Sequence, residues 1–143
     1  MRGVEHILHA GDVGNAAILD QLGQIAAVTA IRGNIDRGGR FGRLPETELV
    51  ELGGQSIYML HDRVTLDLDP VAAGISAVVC GHSHHPAIEW VKGVLYFNPG
   101  SAGPRRLSLP VSVGFLEISE SGIEPRLMTI GYPPSPRFTS SSF

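Results

Sequence analysis

Apolar residues fall in short runs along this chain, and several runs end at a glycine beside a polar residue. Val4 to His9 carries Val4, Ile7 and Leu8 and passes into Ala10-Gly11-Asp12, which predicts a buried strand ending in a loop. Asn15 to Ile25 carries Ala17, Ile18, Leu22 and Ile25 at helical spacing, with Asn15 as the candidate N-cap. Ala26 to Ile31 is a second apolar run and ends at Arg32-Gly33-Asn34. Strand, helix and strand in this order predict a βαβ unit with parallel strands. Glu46 to Leu52 and Gln55 to Leu60 alternate polar and apolar residues around Gly53-Gly54, a hairpin signal. The second of these strands ends at His61-Asp62. Asp69-Pro70 opens a short helix through Ala73, and Gly74 stops it. Ile75 to Cys80 reads as a buried strand leading into Gly81-His82-Ser83-His84. A hairpin follows, Ala87 to Val91 and Val94 to Asn98, turning at Lys92-Gly93. Val111 to Ile118 and Ile123 to Ile130 are two more strands.

These elements make one domain over residues 1–131, followed by a loose tail, 132–143, rich in Pro and Ser. At 143 residues, 43% of them hydrophobic and 17% charged, the chain can bury a core. Eleven basic and fourteen acidic residues give a net charge of -3, which argues against long nucleic acid as a partner. The single Cys80 excludes a disulfide framework within the chain and fits a cytoplasmic, reducing setting. The longest apolar stretch, Val71 to Cys80, falls well short of the ~20 residues of a membrane helix. The N-terminus has no signal-peptide pattern. No membrane partner is expected.

Asp12, Asn34, His61, His82 and His84 all fall at predicted strand ends. In open α/β sheets ligands bind outside the carboxyl ends of the strands. Oxygen and imidazole donors suit borderline divalent metals such as Mn, Fe or Zn, and paired metals are the common device for cleaving phosphate esters. A lone Gly-Asp is usually a turn, and a lone strand-end His is usually structural. The ordered set is hard to assign to chance.

Gly11-Asp12, Gly33-Asn34-Ile35-Asp36, His61 and Gly81-His82-Ser83-His84 resemble, in order, the last four motif blocks of the calcineurin-like metallophosphoesterases. Asn98-Pro99-Gly100-Ser101, followed by Arg105, resembles a further element of the small bacterial and archaeal phosphodiesterase branch. The likeness runs from about Ile7 to Ile130. It implies a four-layer α/β/β/α sandwich and divalent-metal-dependent hydrolysis of phosphoesters, foremost phosphodiesters. Asp12 would bridge two metals. Asn34, His61 and His82 would complete one site, and His84 would bind the other ion. Both metals together would activate water for attack on phosphorus. The ions implied are Mn, or Fe, Zn or Ni. Asp36 would orient a neighbouring His or cap a loop. Asn98 would serve the substrate site by fixing the loop beneath it. Arg105 would hold substrate phosphate, with Arg106 as a second candidate and a solvated loop as the alternative.

Two departures from the family pattern change the expectations. Relatives with a general-acid His carry it where this chain has Ile35, which moves no proton. Good leaving groups and diesters are therefore expected to outpace alkyl monoesters. The D-x-H block, which supplies two ligands of the first metal, has no counterpart ahead of Gly11. The expected fold is thus short of one N-terminal strand and its helix, and one metal site is fuller than the other. A start codon placed too far downstream is the favoured explanation, with genuine loss as the alternative. Loss would give a non-catalytic binding scaffold, a role that one eukaryotic retromer subunit of similar fold plays. A homo-oligomer would cover the apolar surface left by a missing strand.

The remaining polar residues read more simply. His9, three residues before Asp12, is a structural His before it is a substitute ligand. His6 and His85 are incidental, with contact to substrate as the alternative for His85, which lies beside the site. Arg32 and Arg37 raise the positive potential near Gly33-Asn34, the loop Arg37 to Arg43 either covers substrate or is plain loop, and Cys80 packs in the core.

Overall fold

Side chains on a strand point alternately to its two faces, and this alternation divides the core. The computed structural model describes residues 4–11, 16–33, 44–83, 85–100 and 111–131. Asp12, Asn15, Asn34, Asp36, His84, Arg105, the loop 37–43 and the tail 132–143 lie outside the described residues.

Strand β1 (His6–His9), helix α1 (Ala16–Gly23) and strand β2 (Ala27–Ala30) follow in chain order. β1 and β2 pair in parallel, His6 opposite Ala27 through His9 opposite Ala30, as the crossover required. A mixed five-stranded sheet is built from β3 (Thr47–Leu52), β4 (Gln55–Leu60), β5 (Ala77–Val79), β6 (Ala87–Val91) and β7 (Val94–Asn98), in the order β3-β4-β5-β7-β6. β4, β5 and β7 run parallel, and a hairpin closes each edge. β8 (Val111–Ser119) and β9 (Gly122–Gly131) form a long antiparallel ribbon.

Ile57, Met59, Ala77, Val79, Leu95 and Phe97 point to one face of the five-stranded sheet and are buried. Leu8 and Ala10 at β1, with Leu116, Ile118, Ile123 and Leu127 of the β8–β9 ribbon, pack on that face. The alternate residues Leu60, Val78, Cys80 and Val94 face the other way, where Leu66, Leu68 and Ile75 cover them. Each such aliphatic side chain contributes on the order of 1.5–3 kcal/mol when fully buried. Cys80 sits in this second cluster at 5% exposure.

Both hairpin turns match the sequence. Gly53 and Gly54 have φ of 56° and 84°, and Lys92 and Gly93 have φ of 52° and 80°, the positive values that two-residue hairpin loops favour. The helix expected from Asp69 is instead a single turn. Ala73 donates to Asp69 O (3.0 Å) and Ile75 to Pro70 O (2.9 Å), and Gly74 at φ 73° leaves no length for a second turn. A 3-10 turn at Arg63–Thr65 was not anticipated; Asp62 caps it, its Oδ1 accepting from Val64 N–H at 3.1 Å. β5 is shorter than the apolar run around it, although Cys80 N–H still donates to Phe97 O (3.0 Å). Among the described residues no helix is long and apolar enough to cross a membrane.

Candidate metal centre

Parallel strands bring their carboxyl ends to one edge, and here those ends carry His61, Gly81 and Asn98. The ends of β1 and β2 arrive at the same place. The hydrogen bond from Ile31 N–H to His9 O (3.0 Å) extends their pairing towards Gly11 and Gly33. A Cβ added to Gly11 would lie 2.7 Å from His61 Nδ1 and 2.9 Å from the Gly33 backbone, and Gly11 has φ 100°. Only glycine lets these loops close to this distance.

His61 is buried at the meeting point, 7% exposed. Its Nδ1 lies 2.7 Å from Ala10 O. A carbonyl only accepts, so Nδ1 carries the proton and Nε2 carries the lone pair of the neutral ring. Metal-binding histidines are commonly oriented in this way, through the nitrogen that does not ligate. Gly81 N–H donates to His61 O (2.9 Å), which ties the two histidine loops together.

His82 follows with φ 67°, one of two described non-glycine residues at positive φ. This left-handed backbone costs an L residue roughly 1–2 kcal/mol. It turns the imidazole beside that of His61, with ring centroids 5.1 Å apart and planes at 77°. His82 Nε2 lies 3.8 Å from Asp62 Oδ2.

Asn98 lies beneath this loop, 6% exposed. Its Nδ2 donates to Gly81 O (3.0 Å) and Ser83 Oγ (3.1 Å), and its Oδ1 accepts from Gly100 N–H (2.9 Å). These three bonds hold the loop. Ser112, on β8, donates to Pro99 O (2.7 Å) and fixes the next residue in the chain.

The loop after His61 is pinned from the far side. Arg63 bonds Glu89 of β6 at 2.6 Å and stacks over Tyr96 of β7, 4.1 Å from the ring centroid. That hydrogen bond holds the exposed Glu89 carboxyl below the usual carboxylate range and raises the Arg63 value. Sequence reading missed this anchor. Arg32, expected to raise positive potential, pairs with Glu46 at 2.9 Å, so its charge is largely offset. A cleft of about 480 Å³ opens beside His61, lined by Arg32, Glu46, Tyr58, Asp62, Thr65 and Asp67 among others. His6 bonds Thr29 on the paired strand (Nε2 to Oγ1, 2.7 Å) and stays away from this edge.

Of the residues proposed from the sequence, the structure brings together His61, His82 and Asn98; Asp12, Asn34, Asp36, His84 and Arg105 are outside the described residues. Among the described residues no group of three or more His, Cys, Asp or Glu is gathered to hold an ion. The local chemistry nonetheless fits a borderline divalent cation. Two imidazoles lie edge to face, one has its tautomer set by a carbonyl, and the glycine cradle leaves no room for a side chain. Asp12 and Asn34 follow directly on Gly11 and Gly33 of that cradle.

Comparison with known proteins points to one family. Residues 1–121 match the family model described as the calcineurin-like phosphoesterase superfamily domain. A probable metallophosphoesterase of Methanocaldococcus jannaschii is 33% identical over 135 residues, covering 89% of this chain and 67% of that protein. Among solved structures, an archaeal phosphodiesterase matches with a TM-score of 0.70 at 21% identity, over 87% of this chain and 84% of the other. Wild-type Vps29 from Entamoeba histolytica, complexed with Zn2+, matches with a TM-score of 0.70 at 22% identity, over 88% and 82%.

Proposed function

The chain belongs to the calcineurin-like phosphoesterase superfamily, and we propose that it hydrolyses phosphodiesters with the help of divalent metal held by Asp12, Asn34, His61, His82 and His84. The convergence of Gly11, Gly33 and Gly81 on His61, whose Nδ1 is fixed by Ala10 O, is the observation that carries this reading. His61 would present Nε2 from a buried ring whose Nδ1 bonds Ala10 O. Asn98 keeps the His82 loop in place through Gly81 and Ser83. A divalent ion supplies positive charge for the phosphoryl oxygens and makes a water more acidic. Mn is the expected metal, ahead of Fe, Zn and Ni. Asp36 is assigned to orienting a neighbouring histidine and Arg105 to holding the substrate phosphate. Ile35 follows Asn34 and gives the leaving group no proton. Substrates with stable anionic leaving groups are therefore preferred. Cys80, a buried thiol, is in keeping with a reducing compartment such as the cytoplasm.

The test is turnover of a nitrophenyl phosphodiester with added Mn2+, measured beside an alkyl phosphomonoester. Metal-dependent turnover that is abolished by EDTA and lost in His61→Ala is expected, with the monoester much slower. Equal rates on the two substrates would overturn the leaving-group argument. Metal binding without turnover would make the chain a binding scaffold.

A further inference from the structure

Asp62 occupies a place the metal reading does not use. It directly follows His61, and the carboxylate is two-thirds buried. Its two oxygens have different neighbours. Oδ1 caps the 3-10 turn by accepting from Val64 N–H at 3.1 Å, which fixes the carboxylate plane. Oδ2 is left facing His82 Nε2 at 3.8 Å, about 1 Å beyond hydrogen-bond length. The turn itself cannot drift. Thr65 N–H donates to Asp62 O (3.0 Å), and Arg63 anchors it to Glu89 and Tyr96.

We propose that Asp62 is a positioning residue for His82: it accepts a hydrogen bond from Nε2–H and so directs Nδ1 to the metal. This rests on the metal-centre reading above. The two rings would then be oriented through opposite nitrogens. His61 is held at Nδ1 by Ala10 O, and Asp62 Oδ2 faces His82 Nε2 at 3.8 Å, which would leave His82 Nδ1 for the ion. A ligating imidazole tied to a carboxylate is a more basic ligand with a fixed plane. The His82 side chain is 43% exposed, so burial restrains it less than it restrains His61. The left-handed backbone of His82 fixes where the Cβ points but not the ring rotation.

Asp62→Ser separates positioning from capping, since Ser is as good an N-cap but has no carboxylate. Asp62→Asn keeps the cap through its single oxygen and turns its NH2, which only donates, towards His82. Mn2+ affinity is measured by calorimetry on the metal-free full chain, with thermal unfolding of the metal-free protein and His82→Ala as controls. The expected result is unchanged stability for Asp62→Ser with Mn2+ binding weakened roughly 10- to 100-fold, and a loss at least as large for Asp62→Asn, whose NH2 favours the tautomer with Nδ1 protonated. Asp62→Ser binding Mn2+ within twofold of the unmutated chain, while His82→Ala binds far more weakly, would overturn the role of Asp62 alone. If His82→Ala also binds like the unmutated chain, the metal-centre reading falls and this proposal with it.

Discussion

Replacing Asn98 by alanine removes three hydrogen bonds at once, to Gly81 O, Ser83 Oγ and Gly100 N–H. The side chain is 6% exposed, so water does not readily take their place. At about 1 kcal/mol net per bond the loss is about 3 kcal/mol. Gly81 O keeps the bond from Ser83 N–H (2.8 Å), whereas Gly100 N–H loses the Asn98 oxygen. For a domain of this length the loss corresponds to a fall in Tm of roughly 12 °C. Asn98→Asp is the more diagnostic variant. It keeps an oxygen for Gly100 N–H but turns a second oxygen towards Gly81 O. Ionised, that oxygen repels the carbonyl; protonated, it donates to it. The folded state therefore raises the new carboxyl's pKa above the unfolded value of about 3.9. A group raised in this way stabilises fully below its unfolded value, and the contribution is lost as pH rises through the folded one. Urea unfolding in EDTA from pH 4 to 8 reads both effects. The gap between Asn98→Asp and the unmutated chain should widen with pH. An alanine variant within about 1 kcal/mol of the unmutated chain, or an Asn98→Asp gap indifferent to pH, would refute the reasoning.

Two further predictions follow from backbone and burial. His82→Gly and His82→Ala both delete the ring, but only glycine relaxes at φ 67°, so the glycine variant should be the more stable by about 1 kcal/mol, or roughly 4 °C in Tm; equal Tm values would refute the left-handed loop. Burial pushes the Cys80 thiol above its ordinary 9.0, an effect larger than the opposing pull of Arg63. Maleimide labelling at neutral pH should be slow until the chain unfolds. Since the folded value is the higher one, the associated stability is full below about pH 9 and falls as pH rises past it. Cys80→Val should flatten that alkaline decline, and an unchanged decline would assign it to other groups.

Local signals were legible where the chain's own geometry decided the outcome. Gly53-Gly54 and Lys92-Gly93 fixed their hairpins, because positive φ at both turn positions has few sequence solutions. Parallel pairing of β1 with β2 followed from the crossover helix. The turn at Asp69 was overread as a helix, since Pro and an N-cap signal a start and say nothing of length. Side-chain partners across distant loops were not legible. Arg63 meets Glu89 26 residues away. Asp62 meets His82 through two turns whose relative placement no local pattern records. Arg32 was read as contributing positive charge because its partner Glu46 lies 14 residues on, beyond any local pattern. The His61 and His82 positions stood out as motif spacing, but the carbonyl of Ala10 that sets the His61 tautomer has no sequence signature at all.

The glycine cradle also bears on how the chain reaches its native state. Gly11, Gly33, His61, Gly81 and Asn98 come from five separate strand ends, and β4, β5 and β7 can pair in parallel only after long crossovers close. Loop-closure entropy is incurred before such non-local contacts give anything back. The imidazoles of His61 and His82 are therefore expected to meet late, once the sheet has zipped. An ion in solution would find little to template during collapse. It would act afterwards as a latch on the finished sheet, slowing its unfolding more than it speeds its formation.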